Sequence, residues 1–276
     1  MMTSEIENLV CKNPNTVSWC VKPRTRVCYM SDEDLIQHIE EKKSKIDSIR
    51  PLEQEALKQL EQWYDVELTY TSNALEGNTL TRSETAIVLE KGITVRGKPL
   101  KDHEEAVDHF EAIKFVRDLA KDPRPISERD VCDIHRLLVA KTQSDQAGQY
   151  SKFERRIAGS KVKLASPEEI PALMGDFGQW LNQAESTPDN AIEAHLRLVT
   201  IHPFSDGNGR TARLLMNLEL MRGGYPPIII HPEHRPDYID SHEKAQLTGN
   251  STDFKNFLLE RLESSLDEYL GFFIKE

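Results

Sequence analysis

The residues whose types and spacing could do chemistry are concentrated in one segment. Nine residues from His202 to Arg210, "HPFSDGNGR", lie between two apolar runs. Pro203 disfavours helix at the residue before it, and Gly207 and Gly209 allow a tight turn with positive φ. The pattern therefore predicts a helix ("AIEAHLRLVTI"), a glycine-bearing loop, and a second helix that begins at Arg210.

The start of the second helix is typical of an anion site, because free backbone N–H groups and the helix dipole both favour negative charge there. Arg210 and Arg213 are three residues apart and share one face, which suits a polyphosphate. Asp206 would repel a bare phosphate, but it fits if it holds Mg²⁺, which bridges carboxylate and phosphate oxygens. His202 can accept a proton near neutral pH. One loop could therefore bind a nucleotide and a metal ion and supply a general base. A simple connection between two helices does not require this combination of residues.

Helical periodicity dominates the rest of the chain from residue 31 onward. The exception is "GQYSKFERRIAGSKVKLASPEEI", whose β-branched residues near turn formers predict a hairpin or flap. The sequence therefore predicts a mostly α fold with one small β element. We divide it into an N-terminal arm and helix (1–50), a helical region (51–95) and a larger domain with the C-terminal helices (96–276).

Composition and charge exclude several function classes. The net charge of the 276 residues is −11, which argues against nucleic-acid binding. The apolar runs are too short for a membrane span, and no signal peptide is visible, so we expect a cytoplasmic protein. Four cysteines without a CxxC spacing are expected to be reduced thiols. Neither a P-loop nor a GxGxxG motif is present.

The loop resembles the signature of the Fic family, HxFx[D/E]GN[G/K]R, at every fixed position, and Arg213 supplies the additional arginine. "GQYSKF", with the "IAGSKVKLASPEEIP" that follows it, resembles the family's substrate-facing flap, and "GGYPPI" follows the motif helix as in many members. The resemblance covers roughly residues 60 to 260. It implies the Fic fold, a helical bundle with a small β-hairpin flap.

The resemblance implies a protein adenylyltransferase that moves AMP from Mg-ATP to a Ser, Thr or Tyr hydroxyl of a target protein, itself included. His202 would deprotonate the hydroxyl, and Asp206 would hold Mg²⁺. Arg210 would steady the phosphates and the loop, and Arg213 would bind the γ-phosphate. The residues expected to cradle the α-phosphate are Gly207, Asn208 and Gly209. A Doc-type phosphate transferase has Lys at the place of Gly209, so Gly209 favours nucleotidyl transfer.

A second segment, "SNALEGN" from Ser72 to Asn78, resembles the family's inhibitory pattern [S/T]xxxE[G/N]. In such proteins the Glu pairs with the second arginine, so Glu76 is expected to pair with Arg213 and to inhibit the enzyme in cis. The resemblance also allows Glu76 to orient a water for removing AMP. Members with this inhibitory helix often form homodimers.

The base and the target are expected to contact two other regions. Tyr238 is placed like an aromatic that borders the adenine, and Gln246 lies where many members have Asn. An extended target segment could pair with the flap by strand addition; the residues concerned are Lys161, Val162, Lys163 and Leu164. Two alternatives stay open: a different donor, such as UTP or a phosphocholine carrier, and a non-catalytic nucleotide-binding interaction module.

Overall fold

A computed structural model describes residues 32–273. The predicted N-terminal arm, with Cys11, Cys20 and Cys28, lies outside these residues. Within them the chain forms ten α-helices and two short 3-10 helices. The α-helices are α1 (Asp32–Ser48), α2 (Gln54–Ala74), α3 (Arg82–Lys91), α4 (Leu100–Lys121), α5 (Glu128–Leu138), α6 (Ile170–Gln183), α7 (Pro188–Ile201), α8 (Asn208–Arg222), α9 (Arg235–Thr248) and α10 (Thr252–Phe273). The predicted mostly α fold is confirmed.

Short polar residues fix several helix starts. At α3 the side chain of Thr81 accepts the backbone N–H of Glu84, and the Glu84 carboxylate accepts the Thr81 N–H in return. At α5 the Asp130 carboxylate accepts the N–H and the hydroxyl of Ser127. The α7 helix begins after Thr187, whose side chain accepts a backbone N–H. Each cap satisfies donors that a helix start leaves free.

The antiparallel pair α7 and α8 lies at the centre, with α4 and α5 packed against α8. Nearly every residue of α8 is buried, so the helix that follows the glycine loop is held on all sides. The α2 helix buries Leu60, Tyr64 and Leu68, which repeat at helical spacing and form one apolar stripe. Burial of this stripe fixes which face of α2 packs on the core. The C-terminal end of α2 is thereby directed to the start of α8.

The predicted β-hairpin over the flap is not confirmed, because no strand is assigned anywhere in residues 32–273. A hairpin needs backbone hydrogen bonds between its two arms. Here the Ser151 N–H donates to the Pro203 carbonyl at 2.9 Å, and the Lys161 N–H donates to the Glu243 carboxylate at 3.2 Å. The flap is therefore an irregular segment with a turn at residues 158–159, and these two donors fix it to the glycine loop and to α9.

None of the helices in the described part of the chain is long and apolar enough to cross a membrane.

Candidate active site

The glycine loop has a residue in the left-handed backbone region at each of its two ends. His202 ends α7 with φ 55°, and Gly207 precedes α8 with φ 74°. A Cβ at Gly207 would meet Val139 Cγ1 at 3.3 Å and His135 Cδ2 at 3.4 Å, so both the backbone conformation and the packing favour glycine. Because Gly207 makes this turn, α8 begins at Asn208, two residues earlier than predicted. Its first N–H groups therefore belong to the loop motif itself.

Asn208 closes the loop. Its amide oxygen accepts the Phe204 N–H at 2.9 Å, and its amide nitrogen donates to the Phe204 carbonyl at 2.8 Å. The side chain is buried, so both ends of the amide are occupied within the loop. The expected contact of Asn208 with the α-phosphate, through its backbone N–H and its amide, stays a prediction.

His135 of α5 packs against the loop, and sequence reasoning did not identify it. Its ring stacks on Phe204 with centroids 3.7 Å apart. The Gly148 N–H donates to Nδ1 at 3.0 Å, so Nε2 carries the proton and donates to the Asp206 carbonyl at 3.1 Å. Burial lowers the pKa of His135 to about 4. The ring is therefore neutral at neutral pH, as both hydrogen bonds require.

His202 is held at the edge of the loop by Arg155 of the flap, which donates to the carbonyls of His202 and Phe204. The imidazole Nδ1 lies 3.4 Å from the Val199 carbonyl. Since a carbonyl only accepts, Nδ1 carries the proton and Nε2 keeps the lone pair. Burial and then the charge of Arg155 lower the pKa of His202 to about 4. A neutral imidazole with a free Nε2 can accept a proton.

The Asp206 carboxylate accepts a hydrogen bond from Gln143 at 2.7 Å and lies 3.4 Å from Arg210 Nη2. Burial raises the pKa of Asp206, but the charge of Arg210 and the backbone N–H of Gly207 outweigh this and hold the pKa below its usual value. The side chain is 49% exposed.

No group of three His, Cys, Asp or Glu residues within 32–273 could hold a metal by itself. Mg²⁺ is commonly bound by one or two carboxylates together with substrate phosphates and waters. The ionised, half-exposed Asp206 fits a Mg²⁺ that arrives with a nucleotide.

The Arg210 guanidinium turns inward. Its Nη1 lies 3.5 Å from both Glu105 Oε1 and Asn73 Oδ1, and the side chain is 3% exposed. It thereby connects the start of α8 to α4 and α2, while Nη2 faces Asp206. These contacts tie the loop to α2 and α4 through one side chain. Contact of Arg210 with phosphates stays a prediction.

Arg213, one turn into α8, is engaged by the end of α2. Its Nη2 donates to Glu76 Oε1 at 2.7 Å and to the Ser72 carbonyl at 3.0 Å, and its Nε donates to the Ser72 hydroxyl at 3.0 Å. Burial raises the pKa of Glu76, but the charges of Arg213 and Arg210 outweigh it and lower the pKa. The structure thus joins the segment "SNALEGN" to Arg213, three residues after "HPFSDGNGR", through the Glu76–Arg213 ion pair.

The Glu76 carboxylate also lies against the first turn of α8. A Cβ built on Gly209 would stand 2.7 Å from Glu76 Oε1 and 3.2 Å from Arg213 Nη1. Glycine at this position therefore leaves room for the carboxylate. An anionic group already lies at the helix start where the sequence predicts phosphate.

Tyr238 lies in the core and is 2% exposed. Its hydroxyl is 2.7 Å from His195 Nε2 and 3.4 Å from Arg213 Nη1, so the tyrosine buttresses the second arginine. Gln246 donates to the Val199 carbonyl at 3.1 Å, the same carbonyl that faces His202. Both positions hold site residues in place, and their contacts with adenine stay a prediction.

The flap residues predicted to dock a target form an extended segment next to α9. Lys161 and Lys163 are exposed, and Val162 and Leu164 are half-buried. Glu243 of α9 accepts the Ser160 hydroxyl at 2.9 Å and fixes the start of this segment. The alternation is that of an extended chain, and target docking stays a prediction.

The helical fold places one glycine-bearing loop and the helix start that follows it next to a neutral histidine and two arginines. The chain belongs to the Fic/DOC family, whose model matches residues 125–220. A protein adenylyltransferase Fic of Nematostella vectensis is 35% identical over 245 residues, which cover 87% of this chain and 56% of that protein. A protein adenylyltransferase fic-1 of Caenorhabditis elegans is 35% identical over 73% of this chain and 40% of its own length. The chain therefore spans about half the length of these curated relatives.

Solved structures show the same fold. A Fic domain-containing signaling protein from Bacteroides thetaiotaomicron superimposes with a TM-score of 0.81 at 32% identity, over 85% of this chain and 96% of that one. Residues 134–508 of Fic-1 from C. elegans give a TM-score of 0.77 at 31% identity, over 87% of this chain and 72% of that one.

Proposed function

We propose that this chain is a protein adenylyltransferase that transfers AMP from ATP to a Ser, Thr or Tyr hydroxyl of a target protein, and that Glu76 restrains it. Relatives with this name support the reaction. The single observation that carries the proposal is the Glu76 carboxylate on the first turn of α8, 2.7 Å from Arg213. A site that attracts a carboxylate by an arginine and a helix start attracts phosphate by the same forces.

In the transfer, a bond forms between the target hydroxyl oxygen and the α-phosphorus. The bond from that phosphorus to the β-phosphate oxygen breaks, and pyrophosphate leaves. The Nε2 lone pair of His202 accepts the hydroxyl proton, and its neutral state at neutral pH makes this transfer available. Phosphoryl-type transfers depend chiefly on positioning and charge stabilisation. The backbone N–H groups at the start of α8 and the Arg213 guanidinium supply both. Mg²⁺, when bound at Asp206, neutralises phosphate charge.

Glu76 restrains this reaction by competition. While its carboxylate holds Arg213, the arginine lacks a free edge for the γ-phosphate, and the negative charge repels the triphosphate. ATP that does bind is displaced from the geometry that in-line attack requires.

The test compares wild type, Glu76→Gly, and Glu76→Gly combined with His202→Ala, each incubated with α-labelled or γ-labelled ATP, Mg²⁺ and a lysate. We expect α-label on protein with Glu76→Gly, much less with wild type, and none in the double variant, which should still bind ATP. Glu76→Gly combined with His38→Ala is the matched control, because His38 is an exposed histidine on α1, and it should transfer normally.

Each other outcome contradicts the proposal in a defined way. Transfer of γ-label indicates phosphate transfer. Label from UTP or from a phosphocholine carrier, but not from ATP, indicates another donor. Binding of ATP without transfer by any variant indicates a non-catalytic nucleotide-binding module.

A further inference from the structure

Apart from the candidate active site, the structure has a cavity of about 640 Å³. It lies beside the N-terminal half of α2, whereas Glu76 follows the C-terminal end of that helix. Its walls are the N-terminal half of α2, the C-terminal half of α4 and the face of α8 at Leu214 and Met221. Leu57, Leu60 and Val116 are among the side chains that make the lining mostly apolar. Its size falls within the range of cavities that hold small organic ligands.

One buried polar group in this wall has no partner. Tyr64 lines the cavity and is 4% exposed, and its hydroxyl makes no hydrogen bond to any described residue. A buried hydroxyl without a partner is costly and uncommon in folded proteins. Tyr64 therefore belongs to the wall, while its hydroxyl itself is inaccessible to solvent.

The rim of the cavity is cationic in a chain whose net charge is −11. Arg50, Arg117 and Lys121 line it, against a single carboxylate, Glu61. Arg117 is paired with Asp65 at 2.5 Å, whereas Lys121 is exposed and pairs with no described residue. An apolar cavity with a free cation at its mouth complements a molecule with an apolar body and one acidic group.

We propose that this cavity binds an amphiphilic carboxylic acid of the fatty-acid class. The alkyl chain lies among the apolar side chains of α2, α4 and α8, and the carboxylate lies at Lys121. Burial of the chain supplies most of the affinity, and the exposed ion pair supplies a smaller share together with orientation.

Shared side chains connect this cavity to the surroundings of Arg213. A ligand in the cavity would therefore affect nucleotide binding, an inference that rests on the proposed function. Leu68, Leu214 and Asn217 line this cavity and also a small cavity directly beneath Arg213. A ligand that fills the space between α2 and α8 stabilises their packed arrangement, in which Glu76 holds Arg213. By linkage, the acid and a nucleoside triphosphate weaken each other's binding by the same factor.

Equilibrium dialysis of the whole chain with labelled decanoate, below its micelle concentration, tests the site. We expect saturable binding that weakens about fourfold for each methylene removed and about three- to fivefold in Lys121→Gln. Lys114→Gln is the matched control, since Lys114 lies on the same helix but pairs with Glu111 outside the cavity, and it should bind as wild type does. Leu57→Trp fills the cavity and should abolish binding.

Absence of saturable decanoate binding to wild type overturns the site. So does equal binding by Leu57→Trp, once circular dichroism shows that this variant melts as wild type does. Should Leu57→Trp fail to fold, the comparison of Lys121→Gln with Lys114→Gln decides, and equal affinity in that pair refutes the carboxylate position.

The coupling is tested by measuring the affinity for a non-hydrolysable ATP analogue with and without decanoate. In wild type we expect decanoate to weaken the analogue, and the analogue to weaken decanoate by the same factor. In Glu76→Gly neither effect should remain. Equal weakening in Glu76→Gly refutes a path through Glu76. Because both measurements are of binding, they stand even if no variant transfers AMP.

Discussion

Glu76→Gln removes the negative charge that lies against the first turn of α8 and replaces the charged acceptor of Arg213 by a neutral one, which competes less strongly with a phosphate. Two unit charges 4 Å apart interact by ~4 kcal/mol at an effective dielectric constant of 20. The Glu76 side chain is 42% exposed, so solvent screens much of that repulsion. A hydrogen bond to a charged group contributes about 1.5–3 kcal/mol, and Arg213 can offer one to the γ-phosphate only when Glu76 releases it. We therefore expect a gain of ~1.5–3 kcal/mol, or about 10- to 100-fold tighter binding of a nucleoside triphosphate.

Calorimetric titration with a non-hydrolysable ATP analogue and Mg²⁺ measures this gain. Adenosine has no phosphates, so its affinity should not change in Glu76→Gln. Glu55→Gln is the matched control, because it removes the same charge from an exposed position in the first turn of α2, at the opposite end of that helix from Glu76, and it should bind the analogue as wild type does. Equal affinity of wild type and Glu76→Gln for the analogue would refute competition between the carboxylate and the triphosphate.

Three further predictions concern the loop. Asn208→Ala removes both hydrogen bonds to the Phe204 backbone and should lower the free energy of unfolding in urea by ~2–4 kcal/mol; a loss below 1 kcal/mol would contradict its role. The pKa of His135 is lowered to about 4, so the unfolded chain binds more protons between pH 6.5 and about 4. The free energy of unfolding should therefore fall as pH falls through that window, by up to ~3 kcal/mol from this residue. The structural reason is that Nδ1 cannot take up a proton while it accepts the Gly148 N–H. His135→Gln should show a smaller pH dependence when urea unfolding is measured at each pH. Since the pKa of His202 is also about 4, the acid limb of kcat/KM in Glu76→Gly should lie well below pH 6.5, and a limb near 6.5 would refute a buried neutral base.

The parts of the site that are contiguous in the chain could be predicted from the sequence. His202, Asp206 and Arg213 lie within twelve residues, so chain geometry alone brings them to one loop and helix start. The α2 stripe was also predictable, because Leu60, Tyr64 and Leu68 repeat at helical spacing. These features depend only on local periodicity and on the conformational preferences of glycine and proline.

The supports of the loop could not be predicted, because they come from distant parts of the chain. His135 contacts Asp206 across 71 residues, and Arg155 contacts His202 across 47. A histidine on an amphipathic helix and an arginine in a flap carry no local sign of these partners. Their roles follow only from how α5 and the flap pack against the loop.

The flap and Tyr238 show how tertiary contacts decide what local patterns leave open. The flap has the β-branched residues and turns of a hairpin, but its backbone donors bind the Pro203 carbonyl and the Glu243 carboxylate instead. The expectation that Tyr238 borders a base stays a prediction, and the sequence did not indicate that its hydroxyl lies between His195 and Arg213 inside the core. In each case the hydrogen-bond partner of a polar group is remote in sequence, so the local sequence pattern does not identify it.

The central claim is that a nucleoside triphosphate binds at the start of α8, in the place that the Glu76 carboxylate occupies. The most direct test is a crystal structure of Glu76→Gly with a non-hydrolysable ATP analogue and Mg²⁺. We predict phosphate oxygens within hydrogen-bond distance of the backbone N–H groups at the start of α8, the terminal phosphate on Arg213, and His202 Nε2 open to solvent beside the α-phosphate. Triphosphate density elsewhere, or Arg213 without a phosphate partner, would contradict the account.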